Sequence, residues 1–142
     1  MAKKAKVSKK ASKKGSANLS FLTDIVARVL FAIPFFMFGV NHFVYGPKMA
    51  YLVPSYVPGG VFWVYFTGVA LIAAAVSIVT KIQGKLAMYL LAVLLLAFVL
   101  TLHFPGMSSA NVDVKTMSMM ALLKDLGLMG GALLLAGIFE KK

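Results

Sequence analysis

The sequence predicts an all-α integral membrane protein, an antiparallel bundle of four transmembrane helices. Of its 142 residues, 61% are hydrophobic and only 13% are charged, which is too little polar surface for a soluble domain of this length. Four stretches are long and apolar enough to cross a bilayer. They lie at about residues 21–45, 61–80, 86–104 and 117–139. Short connections after the second stretch favour antiparallel neighbours.

The first span carries a charged pair near its beginning. Asp24 and Arg28 are four residues apart, a spacing that brings them together on one helix face, so we expect a structural ion pair. The apolar run is too long for the core of a secretory signal peptide, and no small-residue cleavage site follows it. We therefore interpret it as a retained span.

Small residues in the second and fourth spans predict close helix packing, because they let two backbones approach each other. We expect Gly68 in the second span to serve this purpose. In the fourth span, the same expectation applies to Gly127, Gly130 and Gly131.

Residues 1–18 form a basic tail, and residues 19–142 form the single transmembrane domain. Seven lysines fall within the first 14 residues, among alanine, serine and glycine. Such a composition buries too little apolar surface to fold alone, so we expect disorder unless the tail is bound. Anionic lipid headgroups or a membrane protein partner are the expected contacts, and nucleic acid is not.

The lysines also predict the orientation of the bundle. Cytoplasmic loops of membrane proteins carry an excess of lysine and arginine. With both termini in the cytoplasm, the inner side holds the tail, Lys81, Lys85, Lys141 and Lys142, whereas the outer side holds Lys48 and Lys115. We expect a multipass protein of the bacterial cytoplasmic (inner) membrane with both termini inside.

Polar residues from all four spans reach one depth, near the outer boundary of the hydrocarbon, at about 1.5 Å of rise per residue. Intramembrane polar residues of this kind point to a candidate functional site. They are Asn41, His42, Trp63, His103, Lys124 and Asp125. Lys124 and Asp125 are neighbours about 100° apart on a helix, so both cannot point to the bundle axis.

The chemistry of these residues stays open at this stage. His42 and His103 are either structural hydrogen-bonding residues or donors to a quinone headgroup, with Asp125 handling a proton. A metal or a haem held by the two histidines is disfavoured, because nothing in the sequence fixes their separation. The chain has no cysteine, which excludes disulfide chemistry and thiolate metal sites.

Four segments in order, RVLFAIPFFMFGVNHF, VPGGVFWVYFTGVALIAA, TLHFPGM and LLKDLGLMGGALLLAG, resemble the DoxX-like family of small four-helix membrane proteins. The resemblance covers about residues 24–137. It implies a four-helix membrane fold, and some relatives are associated with quinone-linked oxidation or with membrane oxidoreductase assemblies. The positions that match the family-like motifs are Arg28, Gly39, Asn41, His42, His103, Pro105, Lys124 and Asp125.

Two functions from different classes follow. The first is an accessory or structural subunit of a larger bacterial membrane complex, respiratory or oxidoreductase-linked. The second is a quinone-linked oxidoreductase subunit that uses the outer polar site. A lipid-binding or transport module is a third and less favoured interpretation, because four spans without inverted repeats are atypical of transporters. Whether the protein is an enzyme stays open.

Overall fold

The protein folds into four long helices with short helical turns between them. The structure, a computed structural model, describes the backbone of residues 2–140 and the side chains of residues 21–139. The tail lysines and their expected lipid contacts lie outside the described side chains. The helices are α1 (Ala2–Val44), α2 (Gly46–Met49), α3 (Val61–Thr80), α4 (Gly84–Phe98), α5 (Phe104–Gly106) and α6 (Val112–Glu140), with a 3₁₀ turn at Ala50–Leu52 and a π-helical turn at Val99–His103.

Four segments within these helices are long and apolar enough to cross a membrane: Phe21–Val44, Val61–Thr80, Gly84–Gly106 and Val112–Phe139. They pack antiparallel, α1 against α3 and α4 against α6, and α3 and α4 join the two pairs. The predicted four-helix fold is therefore confirmed. The side of the membrane on which the termini lie stays a prediction.

The fourth span begins several residues earlier than the sequence pattern predicts. The Oδ1 atom of Asn111 accepts hydrogen bonds from the backbone N–H groups of Asp113 at 2.9 Å and Val114 at 3.3 Å. An asparagine that satisfies the first free N–H groups of a helix is a favourable cap. The hydrophobic pattern missed this start because Asp113 and Lys115 interrupt the apolar run and the cap, not apolar burial, fixes the boundary.

The bundle has a narrow core and an apolar outer surface. Small and aliphatic side chains of α3, α4 and α6 pack around Phe35 of α1, which is fully buried. Many large apolar side chains point outward, including Leu90, Val93 and Leu134. In water such a surface would be an aggregation hazard, whereas lipid tails are as apolar as these side chains and solvate them.

Two glycines allow α1 and α3 to cross closely. A Cβ atom at Gly39 would lie 2.6 Å from Cγ1 of Ile72 and 2.9 Å from the carbonyl oxygen of Gly68. A Cβ atom at Gly68 would lie 2.9 Å from Cβ of His42. Any side chain at either position would push the helices apart. This crossing therefore sets how near His42 lies to α3.

The glycines of α6 differ in their surroundings. A Cβ atom at Gly131 would lie 2.7 Å from Cε2 of Phe31, so Gly131 lets α6 approach the aromatic side chains of α1. A Cβ atom at Gly127 or Gly130 would meet no described atom within 4 Å. These two glycines make no close contact with the rest of the described residues, and they leave a strip of α6 without side chains, which we call the bare strip.

Arg28 of α1 forms hydrogen bonds with the last turn of α3. Its Nη1 donates to the carbonyl oxygens of Val79 at 2.7 Å and Ile78 at 3.4 Å, and its Nη2 lies 3.3 Å from Oδ2 of Asp24. Lys81 lies 2.8 Å from the same carboxylate oxygen. The last carbonyls of a helix lack intrahelical donors, so a buried arginine there satisfies them and complements the negative end of the helix dipole.

Candidate functional site

A cavity of about 540 Å³ opens at the end of the bundle where α1 and α4 finish. We call it the end cavity. Its wall is mostly aromatic and aliphatic, and it has a polar portion. The polar and charged side chains of the wall are His42, Thr67, Thr101, His103, Lys124 and Asp125, with Trp63 beside them. Largely apolar cavities of 300–1,000 Å³ with a few polar groups are typical of small-molecule sites.

His42 enters the wall from α1. Its Nδ1 lies 2.7 Å from the carbonyl oxygen of Phe38, one helical turn earlier. A carbonyl oxygen can only accept, so Nδ1 donates and the ring orientation is fixed by the backbone. Because Gly68 lies directly against the Cβ atom of His42, the same residue that allows the α1–α3 crossing also positions this histidine.

His103 is the last residue of the π-helical turn Val99–His103. Such turns insert an extra residue per turn and often occur at functional sites. The Nε2 of His103 lies 2.9 Å from Oδ2 of Asp125 on α6. The extra residue changes the direction in which His103 projects relative to a regular helix, so the contact with Asp125 belongs to this local irregularity.

Asp125 is the centre of the polar wall. Only 3% of its surface is exposed, and its two oxygens are both engaged. Oδ2 contacts His103, and Oδ1 lies 3.3 Å from Nζ of Lys124. A buried carboxylate needs such partners, because an unpaired charge in an apolar interior costs several kcal/mol.

Lys124 is much more exposed than its neighbour Asp125. Its side chain is 48% exposed, and its Nζ lies 4.5 Å from the centre of the Phe38 ring on α1. The ammonium therefore combines an ion pair with a cation–π contact across the α1–α6 gap. Asp125 faces inward and Lys124 reaches outward, which resolves the geometric conflict between the two neighbours.

Trp63, in the wall of the end cavity, holds the connection between α2 and α3 against that wall by a hydrogen bond. Its indole Nε1 donates to the carbonyl oxygen of Pro58 at 2.7 Å. The connection then covers one side of the cavity with apolar side chains, namely Met49, Leu52, Val53, Pro54 and Val57. The cavity is thus bounded by all four spans and by this cover.

Six residues are predicted to lie at the outer boundary of the hydrocarbon from their positions along the helices. The structure brings five of them together in the wall of the end cavity: His42, Trp63, His103, Lys124 and Asp125. Asn41 does not line the end cavity and lies half-buried beside it on α1. Asp24 and Arg28 contact each other near the opposite end of α3.

Sequence reasoning missed Thr67, Phe38 and the cover formed by the α2–α3 connection. Thr67 is buried, and its signal was its place in the buried stripe Val64, Thr67, Leu71, Ala74 and Ile78.

Within the described side chains, no three histidine, cysteine, aspartate or glutamate residues come close enough to hold a metal ion. The His103–Asp125 pair is therefore a hydrogen-bonded pair with a lysine beside it. The carboxylate holds the histidine ring in one orientation, so that the other ring nitrogen has a fixed direction.

These features define a small multipass membrane protein with an apolar, polar-ended cavity at one end of a four-helix bundle. Residues 31–122 match the family described as a domain of unknown function, DUF8561. The match spans more than half of the chain, from the middle of the first span to Leu122 in the fourth, two residues before Lys124, so the protein belongs to that family. No curated protein and no solved structure matches the chain.

Proposed function

We propose that this membrane protein binds an amphipathic small molecule in the end cavity, with its apolar body among the aromatic side chains and its polar head beside His42 and His103. The observation that carries the proposal is the cavity itself, about 540 Å³ of mostly apolar wall with a fixed polar group from α1 and another from the π-helical turn.

A quinone is the chemical class that we favour. Its ring fits a cavity with aromatic walls, its chain is as apolar as the surrounding bilayer, and the hydroxyls of its reduced form donate hydrogen bonds to histidine nitrogens. The resemblance of the four spans to the DoxX-like family, some of whose members are associated with quinone-linked oxidation, supports this choice. Under this proposal, the protein acts in the bacterial inner membrane, with both termini in the cytoplasm.

Trp63 provides the test, since it is the chain's single tryptophan and lines the end cavity. We expect a benzoquinone with a short alkyl chain to quench Trp63 fluorescence saturably in lipid nanodiscs. Ala97 lies in the wall, so Ala97→Phe should fill the cavity and weaken binding about tenfold or more. Ala73 is exposed elsewhere on α3, and Ala73→Phe should leave binding unchanged. Non-saturable quenching that is equal in all three proteins would contradict the proposal.

A second candidate function is an accessory subunit of a larger membrane complex. It is favoured by the bare strip at Gly127 and Gly130, because small residues on an exposed helix face let a second helix approach closely. We expect Gly127→Leu with Gly130→Leu to release a co-purifying membrane partner while Trp63 still responds to ligand. A change to alanine at the exposed Leu90 of α4, away from this strip, should leave the complex intact. A chain that migrates alone in native membranes would oppose this second function.

A further inference from the structure

The hydrogen of the neutral His42 ring is held at one nitrogen. Nδ1 donates to the carbonyl oxygen of Phe38 at 2.7 Å, so Nε2 carries a lone pair and no hydrogen. No buried side-chain nitrogen or oxygen among the described residues lacks a hydrogen-bond partner. His42 forms part of the cavity wall, and its Nε2 is consequently accessible there as a hydrogen-bond acceptor.

His103 presents the same kind of group. Its Nε2 lies 2.9 Å from Oδ2 of Asp125, whose other oxygen is paired with Lys124. A carboxylate paired with an ammonium accepts, so the histidine donates from Nε2. The lone pair of the neutral His103 ring is then at Nδ1, which makes this ring a second acceptor on the wall.

The hydroxyl of Thr101 agrees with this pattern, whereas that of Thr67 both donates and accepts and so favours neither kind of head. The hydroxyl of Thr101 donates to the carbonyl oxygen of Ala97 at 2.7 Å and therefore offers a ligand an oxygen lone pair. Lys124 is the charged side chain that could instead donate to a ligand. Its ammonium lies in the cavity wall but is already engaged by Asp125 at 3.3 Å and by the Phe38 ring, and 48% of its side chain is exposed, so water or lipid headgroups compete with a ligand for it.

We infer that the end cavity selects molecules whose polar head donates hydrogen bonds, an alcohol or a phenol, over molecules whose head only accepts, an ether or a ketone. An accepting head would face the accepting nitrogens of His42 and His103 and leave both sides without donors, which is unfavourable in an apolar site. The inference rests on the proposed function. Within the quinone class it means that the hydroxyl-bearing reduced form binds more tightly than the carbonyl form.

The experiment compares two probes that differ only at the phenolic oxygen, which carries a hydrogen in one and a methyl group in the other. Protein in lipid nanodiscs is titrated with 4-nonylphenol and with its methyl ether, and binding is measured by Trp63 fluorescence. The ether is the more apolar molecule, so partition into the bilayer alone would favour it. We expect the phenol to bind about tenfold more tightly, because only the phenol satisfies an accepting nitrogen.

Two variants assign the selectivity to His42. His42→Phe keeps an aromatic ring and removes one of the two accepting nitrogens, so the preference for the phenol should fall severalfold, to what His103 alone supplies. Leu102→Ala alters the apolar wall and should weaken both probes by the same factor, leaving their ratio unchanged.

The outcomes separate this inference from the proposed function. Failure of both probes to bind saturably would overturn the proposed function together with the inference. Saturable binding with equal affinities, or with a tighter ether, would overturn the inference and leave the proposed function standing. A full preference for the phenol in His42→Phe would overturn the assignment to His42. The wild-type comparison needs no variant, so it decides the matter even if His42→Phe does not fold.

Discussion

Asp125 shows how one buried carboxylate organises the polar end of the bundle. It is the least exposed charged side chain among the described residues, at 3%, and it contacts His103 and Lys124 through separate oxygens. The strongly exposed partner, Lys124, contributes little to stability because solvent or headgroups can replace its ion pair. The half-buried partner, His103, gains a fixed ring orientation.

Removal of the Asp125 carboxylate should destabilise the fold. We expect Asp125→Ala to lower the free energy of unfolding in detergent micelles by about 1–3 kcal/mol, because the His103 donor loses its partner inside the bundle. Asp113→Ala serves as the control. Asp113 is exposed in the first turn of α6, where a carboxylate is worth about 0.3–1 kcal/mol. Equal losses in the two variants would show that Asp125 has no special role.

At the scale of helices, the bundle depends on where glycines face a neighbour. Gly39 and Gly68 lie at the crossing of α1 and α3, whereas Gly127 and Gly130 lie on an open face of α6. Dispersion between closely approaching backbones is a main source of helix association in lipid, because no hydrophobic force acts between helices there. The same residue type therefore has opposite consequences at the two places.

Gly68→Ala and Gly130→Ala test this difference with identical chemistry. We expect Gly68→Ala to cost about 1–3 kcal/mol, because a methyl group 2.9 Å from the Cβ atom of His42 forces the helices apart. Gly130→Ala should be neutral or stabilising by up to about 1 kcal/mol, since alanine favours the helix and nothing obstructs it. The measurement is thermal unfolding followed by circular dichroism. A neutral Gly68→Ala would refute a tight crossing at this point.

At the scale of the whole molecule, two polar groups of residues lie at opposite ends of the first two spans. One is the end cavity, and the other is the cluster formed by Asp24, Arg28 and Lys81. Arg28 binds the last carbonyls of α3, whereas His42 lies fourteen residues further along α1. If the lysine asymmetry sets the topology, the cluster faces the cytoplasm and the end cavity faces outward. A ligand would then enter from the outer leaflet or from the outer side.

The absence of cysteine allows a direct test of this topology. Ser55→Cys places a thiol in the exposed connection near the end cavity, and Ile82→Cys places one in the exposed turn between α3 and α4. In sealed right-side-out vesicles, we expect a membrane-impermeant maleimide to label Ser55→Cys at once and Ile82→Cys only after permeabilisation. The reverse pattern would refute the predicted orientation.

The sequence by itself determined the number of spans, their approximate bounds and the common depth of the polar residues. Each of these depends on local quantities. Twenty or so apolar residues suffice to cross a bilayer, and the fixed rise of a helix converts residue number into depth. These rules place His42, Trp63, His103 and Asp125 at one level without any knowledge of packing.

The tertiary structure alone decided which side chains meet at that level. Rotation about a helix axis is set by contacts with residues distant in sequence, and a span that is apolar on every side encodes little of it locally. The π-helical turn sets how His103 meets Asp125, and the Gly39–Gly68 crossing positions His42. Packing also gives two glycines of α6 different surroundings: Gly131 lies against Phe31, whereas Gly127 has open space beside it. The depth of a residue follows from its position along its own helix and is therefore predictable from the sequence. The direction of its side chain depends on packing against the other helices and is not.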